Sequence, residues 1–308
     1  MSEATASDHI REERVRREAE APATPATVET ETKGTDSAVT IVRPRMTNRE
    51  KILQIVVPIV ALGLGILAWH LFVTLNEVPT YILPGPVDTV NALLFDSATL
   101  WPALWVTVRI TFSALAVALI GGVILAILIV QSRLFELALF PFAVILQVTP
   151  IIAVAPLILI YAPDTPTALM ICAFLVAFFP ILSNTAQGLK SVDHNLMNLF
   201  ELYGAKSWQT LLFLKIPGSM PYFMAGLRIG GGLALIAAVV AEFAAGSAGQ
   251  GSGLAFRLLE SQYRLNLPRL FAALILLCCT GIAIFALTSF ISWLTLHKWH
   301  ESAIKREN

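Results

Sequence analysis

One polar break separates the long apolar stretches of this chain: Ser191-Val-Asp-His-Asn-Leu-Met-Asn-Leu-Phe-Glu-Leu-Tyr-Gly204-Ala-Lys-Ser-Trp-Gln-Thr-Leu-Leu-Phe-Leu-Lys-Ile-Pro217-Gly-Ser-Met-Pro221. Before the glycine, apolar side chains recur at steps of three and four residues, which places them on one helical face: Leu196, Leu199, Phe200 and Tyr203. Gly204 is a helix stop, because glycine adopts the left-handed backbone at little cost. The pattern predicts two short amphipathic helices, the second ending at Pro217, which lacks a backbone N–H.

Two roles remain open for this helix pair. Its apolar face, held at a membrane surface, suits a contact with another protein. The same face also suits a helix-turn-helix that lies in the lipid interface and binds no protein.

The composition indicates a membrane protein that crosses the bilayer several times. Of 308 residues, 56% are hydrophobic and 14% are charged, which is too apolar for an ordinary soluble domain. The formal net charge of zero gives no argument for nucleic-acid binding, so no nucleic-acid partner is expected. Membrane lipid is the expected surrounding.

Six apolar segments have the length of a transmembrane helix, about 20 residues. They predict an all-α, polytopic bundle of six transmembrane helices with a cytosolic helix pair, and they span 51–75, 107–131, 135–161, 166–189, 220–245 and 269–297. Lys and Arg gather in every second connection, including 190–219, so we expect these connections and both termini to be cytosolic.

The expected domain organisation follows from these segments. Residues 1–48 are rich in Ala, Pro, Thr, Glu and Arg and are predicted to be a disordered cytosolic tail. Residues 49–300 form the transmembrane domain, with the polar break at 190–219, and 301–308 form a cytosolic C-terminal tail.

Few polar side chains lie in the apolar segments. Gln147 and Thr149 precede Pro150 near the middle of the third segment, where they either line a pathway or hydrogen-bond between helices. Glu242 lies towards the end of the fifth segment and is a candidate for a gate or mouth of the pathway, or a structural residue. Arg228 is expected to start its segment and extend to the headgroups.

Enzymatic signatures are missing from the sequence. There is no Gly-x-x-x-x-Gly-Lys-Ser/Thr loop for phosphate, no His-Glu-x-x-His pair, no Gly-x-Ser-x-Gly elbow and no spaced Cys/His cluster. We therefore assign no catalytic residue, no metal site and no cofactor, and we expect no ATPase activity from this chain itself.

Two strings around the break resemble a known signature: Gly204-Ala-Lys-Ser-Trp-Gln and Lys215-Ile-Pro217-Gly-Ser-Met-Pro221-Tyr-Phe-Met-Ala-Gly226-Leu-Arg228. They are similar to the cytoplasmic EAA loop of binding-protein-dependent ABC importer permeases. The likeness extends over residues 51–300, through Leu83-Pro-Gly-Pro86, Val148-Thr-Pro-Ile-Ile-Ala-Val-Ala-Pro156-Leu and Val240-Ala-Glu242-Phe. It resembles most the nitrate, sulfonate, taurine and thiamine-precursor branch of that family.

The chain departs from the family at one point of the loop. The family usually has Glu-Ala-Ala where this sequence has Asn198-Leu199-Phe200, and Glu201 does not occupy the aligned acidic position. A salt bridge from that glutamate to an ATPase is therefore not carried over, whereas the glycine hinge and the apolar face are.

The resemblance implies a transport machine of several subunits in the bacterial inner (plasma) membrane. Two permease copies, here an expected homodimer, would enclose a pathway, two ABC ATPase subunits would hydrolyse ATP, and a periplasmic or extracellular substrate-binding protein would deliver the solute. The residues expected to couple to the ATPase are Leu196, Leu199, Phe200, Tyr203, Gly204, Ala205, Trp208 and Pro217. The expected pathway or gate residues are Gln147, Thr149, Pro150 and Glu242.

The transported solute is not fixed by the sequence. A solute that resembles a sulfonate, taurine or nitrate and a solute that resembles a pyrimidine or vitamin precursor are both compatible. An ion-coupled secondary transporter is the alternative from another class, but no inverted repeat and no ionisable group at clear mid-depth support it.

Overall fold

The computed structural model describes residues 48–246 and 251–297. Of the predicted tails, 1–48 and 301–308, residues 1–47 and 301–308 lie outside the described residues. The chain divides into two units, Met1–Val56 and Val57–Asn308. Of the first unit, the structure describes helical residues from Asn48 onward.

The described part of the chain consists of helices joined by turns and irregular connections. The helices are α1 Asn48–Leu75, α2 Pro86–Phe95, α3 Ser97–Gln131, α4 Arg133–Val148, α5 Ile151–Tyr161, α6 Thr165–Lys190, α7 His194–Leu202, α8 Ser207–Thr210, α9 Ile216–Ala245, α10 Leu254–Tyr263 and α11 Leu267–Leu296. A π-helical turn, Leu211–Lys215, joins α8 to α9.

Within residues 48–246 and 251–297, five helical stretches are long and apolar enough to cross a membrane, or six if one bent pair counts as a span. The five are Ile52–Leu75, Ser97–Gln131, Thr165–Lys190, Ser207–Ala245 and Leu267–Leu296. The all-α membrane bundle predicted from the sequence is therefore confirmed. The predicted segment 135–161 is not one straight helix, because α4 and α5 meet at 103°.

Pro150 explains this bend. A proline restricts the residue before it to extended backbone, and Thr149 has φ −67° and ψ 120°. Pro150 is extended as well, at φ −68° and ψ 112°, and α5 starts directly after it. Two consecutive extended residues redirect the chain within the apolar segment.

The core of the second unit lies along α6, which packs against α3 and α9. Small residues let the backbones approach: a Cβ on Gly226 would lie 2.9 Å from the Pro180 carbonyl oxygen. A Cβ on Gly122 would lie 3.1 Å from Ile181 Cγ2, and one on Gly230 would lie 3.0 Å from Ile181 Cγ1. Ile181 is fully buried between these helices. Small residues at helix contacts are typical of membrane bundles.

The predicted end of the second short helix at Pro217 is wrong. Helical structure continues from Ser207 through the π turn to Ala245. The Ile216 N–H donates to the Leu211 carbonyl, five residues back. A turn this wide leaves space beside the Phe213 carbonyl, which a proline ring at position 217 would meet in a regular α-helix. The proline is accommodated by the π turn instead of ending the helix.

Arg228 also lies elsewhere than predicted. Because the helix starts at Ser207 and not near residue 220, Arg228 is in the middle of the span Ser207–Ala245.

Candidate coupling surface and pathway residues

The hinge at Gly204 is built by local backbone hydrogen bonds at the end of α7. Gly204 has φ +68°, in the left-handed region. Its N–H donates to the Glu201 carbonyl at 2.9 Å, and the Ala205 N–H donates to the Phe200 carbonyl at 2.9 Å. This pair of bonds is a Schellman motif, which satisfies the last carbonyls of a helix. The left-handed helix stop expected from the sequence is present.

The other ends of this loop are capped by side chains. The Asp193 carboxylate accepts from the Asn195 N–H at 2.8 Å and starts α7. The Gln209 side chain accepts from the Lys206 N–H at 2.8 Å and starts α8. These caps fix the loop without any apolar side chain being buried in it.

Large apolar side chains of the loop are open to the surroundings. The exposed fraction is 83% for Tyr203, 45% for Leu196 and 44% for Leu199, while Phe200 and Ala205 are half-buried. After the hinge, Trp208 is 56% exposed and its ring lies 6.5 Å from that of Phe213. We call Leu196, Leu199, Tyr203 and Trp208 the loop face. Pro217 is exposed but lies beyond the π turn.

An ion pair near this loop was missed from the sequence. The Lys190 Nζ atom, at the end of α6, donates to Glu136 of α4 at 2.7 Å, and Arg133 donates to the same carboxylate at 3.2 Å. Glu136 lies 54 residues from Lys190, so no spacing rule indicates this pair.

Glu242 lies in the interior at the opposite end of α9, with 2% of its surface exposed. Its carboxylate accepts from the Thr107 hydroxyl of α3 at 2.8 Å and from the Ala255 N–H of α10 at 2.9 Å. The Leu254 N–H donates to the Thr107 hydroxyl at 2.9 Å. Glu242 and Thr107 thus cap the amino end of α10, where a negative group is favoured. Thr107 was not indicated by the sequence.

Gln147, Thr149 and Pro150 are exposed at the corner between α4 and α5. The Thr149 hydroxyl donates to the Ile145 carbonyl of its own helix at 2.7 Å. Their assignment to a pathway, like that of Glu242 to a gate, stays a prediction.

Comparison with known proteins identifies the family. Residues 118–297, which contain the Gly204 hinge and Glu242, match the family of binding-protein-dependent transport system inner membrane components. The chain belongs to this family of ABC importer permeases. Its membership argues against the ion-coupled carrier that the sequence left as an alternative.

Two curated relatives support the assignment over most of the chain. The riboflavin transport system permease protein RibX of Chloroflexus aurantiacus is 31% identical over 247 residues, which cover 79% of this chain and 90% of the relative. The formylaminopyrimidine transport permease protein ThiX of Halalkalibacterium halodurans is 33% identical over 207 residues, which cover 67% of this chain and 81% of the relative.

The fold is similar to that of a solved ABC transporter. A chain from inward-facing MetNI, the methionine ABC transporter, aligns with a TM-score of 0.56 at 15% identity, covering 64% of this permease and 96% of that chain. This permease is therefore a multi-pass membrane subunit of an ABC importer, with the helical fold of that class.

Proposed function

We propose that this permease forms the pathway of an importer together with a second, identical copy, and that each loop face binds one of two ATPase subunits. The transmembrane domain, residues 49–300, carries the solute, and ATP is hydrolysed by the partner subunits. The supporting observation is the loop face itself: four large apolar side chains are exposed on two short capped helices that are joined at the left-handed Gly204. Exposed apolar clusters of this kind mark protein contacts.

The continuous helix after the hinge supports a mechanical role for this contact. From Ser207 the helix continues to Ala245 through the π turn. A displacement of the loop face by the ATPase therefore moves α9, and with it Glu242, which holds α3 and the start of α10. ATP-driven closure of the ATPases would tilt the bundle and open the pathway on the Glu242 side.

The charge pattern supports the orientation. Lys190, Lys206 and Lys215 lie at the loop end of α6 and α9, with Arg133 paired to the same carboxylate as Lys190. Cytoplasmic connections carry such an excess of Lys and Arg. We accordingly place the loop face and both termini in the cytosol of a bacterium, with the permease in its inner membrane.

We further propose a small organic solute as the cargo, delivered by an external substrate-binding protein that provides most of the selectivity. The names of RibX and ThiX, which refer to riboflavin and formylaminopyrimidine, support a small organic molecule.

The docking experiment compares two single charges placed on α7. Leu199→Asp puts a carboxylate into the loop face, and we expect it to reduce co-purification of the ATPase about tenfold or more, since burial of a leucine side chain contributes about 1.5–3 kcal/mol. His194→Asp adds the same charge at the exposed first residue of α7, off the loop face, and is expected to retain the ATPase. ATP-dependent uptake in proteoliposomes should follow the same order.

Unchanged co-purification of Leu199→Asp would contradict the proposal and indicate that this face meets lipid. Uptake that continues without any ATPase would contradict the importer function itself.

A further inference from the structure

Arg228 lies near the centre of the bilayer-spanning part of α9. It follows Lys215 by 13 residues and precedes Glu242 by 14, so it is about 20 Å along the helix axis from each. The hydrocarbon core is about 30 Å thick, which places Arg228 well inside it. Ionisable side chains at this depth are costly, and those that persist usually face a pathway or a charged partner.

No charged partner for Arg228 exists among the described residues. Its guanidinium carbon lies 5.6 Å from the centre of the Phe285 ring of α11, and Nε is buried without a hydrogen-bond partner. The described residues provide no ion pair or hydrogen bond to the other guanidinium nitrogens either. The aromatic face contributes some stabilisation but does not neutralise the charge.

A second copy of this chain would not supply the missing charge. The described membrane spans, including the bent pair α4–α5, contain two acidic residues, Glu136 and Glu242. Glu136 lies in the first turn of α4 and is bound to Lys190, and Glu242 lies near the end of α9 and is bound to Thr107. Both are remote from the depth of Arg228, in this copy and in an identical partner.

The aromatic ring beside the guanidinium is open to the surroundings, since Phe285 is 57% exposed. Polar groups buried at membrane depth are normally satisfied, and an unpaired guanidinium beside an open aromatic ring points to an absent ligand.

We propose that Arg228 and Phe285 form a binding point within the pathway for a small organic anion that carries a carboxylate or sulfonate group. The guanidinium binds two oxygens of the anion at once, and the apolar part of the solute packs on the phenyl ring. This inference rests on the proposed transport function and assigns the solute to the anionic class over the neutral pyrimidines.

The test measures binding to the full-length permease alone, in nanodiscs of zwitterionic phosphatidylcholine, by ligand-detected NMR. The probes are ethanesulfonate and propionate as anions and cytosine as a neutral heterocycle. We expect the wild type to bind the anions and to favour them over cytosine. Arg228→Gln should weaken anion binding about tenfold or more, because hydrogen bonds to charged groups are the strong ones. Arg109→Gln, which removes an exposed arginine of α3, should leave it unchanged.

Absence of binding of both anions to the wild type would overturn the proposal. So would an equal loss in Arg109→Gln, which indicates general attraction by positive charge. If Arg228→Gln does not fold, Arg228→Lys and Phe285→Leu decide: each should weaken anion binding severalfold, and full binding by both overturns the site. Because no ATPase is present, failure of the loop face to bind an ATPase does not affect this result.

Discussion

The Thr107 hydroxyl lies 2.8 Å from the Glu242 carboxylate, to which it donates, and 2.9 Å from the Leu254 N–H, from which it accepts. Thr107 is fully buried and Glu242 nearly so. One hydroxyl thus connects three elements that are far apart in the sequence: α3, α9 and the start of α10. A buried carboxylate is tolerated only when such donors satisfy it.

Removing this hydroxyl should destabilise the permease. Thr107→Val has nearly the same shape but leaves Glu242 and the Leu254 N–H each without one partner. We expect the free energy of unfolding to fall by about 1–3 kcal/mol, which is the cost of leaving buried polar groups unsatisfied. The thermal unfolding midpoint of the purified permease measures it. Thr107→Ser keeps the hydroxyl and is the control, so equal midpoints for Val and Ser would contradict a role for the hydrogen bonds.

The sequence indicated half of this pair. Glu242 was noticeable because a carboxylate in an apolar segment is rare. Thr107 was not, because a threonine in a helix commonly bonds to its own backbone, and here its hydroxyl also lies 3.3 Å from the Ala103 carbonyl. The partner of Glu242 is 135 residues away, a separation that no local pattern reports.

Close contact between α6 and α9 predicts a second effect. A Cβ on Gly226 would lie 2.9 Å from both Asn184 Cβ and the Pro180 carbonyl oxygen, so Gly226→Ala forces the helices apart. We expect the free energy of unfolding of Gly226→Ala to fall by about 1–3 kcal/mol, which is the range for overpacked cores. Gly232, six residues further on the same helix, has no atom within 4 Å of the place that a Cβ would take, so Gly232→Ala is the control. Chemical unfolding of both variants in detergent gives the comparison, and similar stability would show that the helices can separate freely.

Apolar patterning predicted the bundle well, since length and hydropathy alone determine which segments cross a bilayer. Apolar patterning did not predict the backbone at two prolines, because the effect of a proline depends on the hydrogen bonds around it. Pro150 bends the third segment into α4 and α5, whereas Pro217 sits inside a continuous helix because a π turn precedes it. The same residue type thus gave opposite results. The choice between them depends on the hydrogen-bond register of neighbouring residues, which the sequence pattern does not contain.

An acidic side chain outside the spans gives a pH dependence. Arg257 donates to Glu260 at 2.8 Å and Arg264 lies 2.9 Å from it, within and just after α10. The hydrogen bond from Arg257 is the main cause that lowers the pKa of Glu260, against an opposing effect of burial. A lowered pKa in the folded state means that this stabilisation is complete above the unfolded pKa of about 4.3 and is lost as pH falls through the folded value.

The free energy of unfolding of Glu260→Gln should therefore be lower than that of the wild type at neutral pH and should approach it in acid. We expect a difference of about 0.5–1 kcal/mol at pH 7, typical of a partly exposed ion pair. Thermal midpoints of both proteins between pH 7 and pH 3 test this, and a constant difference across that range would rule out titration of Glu260 as its origin.

The Gly204 backbone gives the most direct test of the hinge, because steric crowding is absent there. No atom lies within 4 Å of the position of a Cβ on Gly204, so a substitution acts through φ +68° alone. Gly204→Val should disfavour this conformation by about 1–2 kcal/mol or more, since a β-branched side chain is poorly tolerated in the left-handed region. Gly204→Asn should cost much less, because asparagine adopts that region more readily. We expect Gly204→Val to bind the ATPase but to lose most ATP-driven uptake, with Gly204→Asn close to the wild type. Equal uptake by the two variants would mean that the left-handed turn is not needed for coupling.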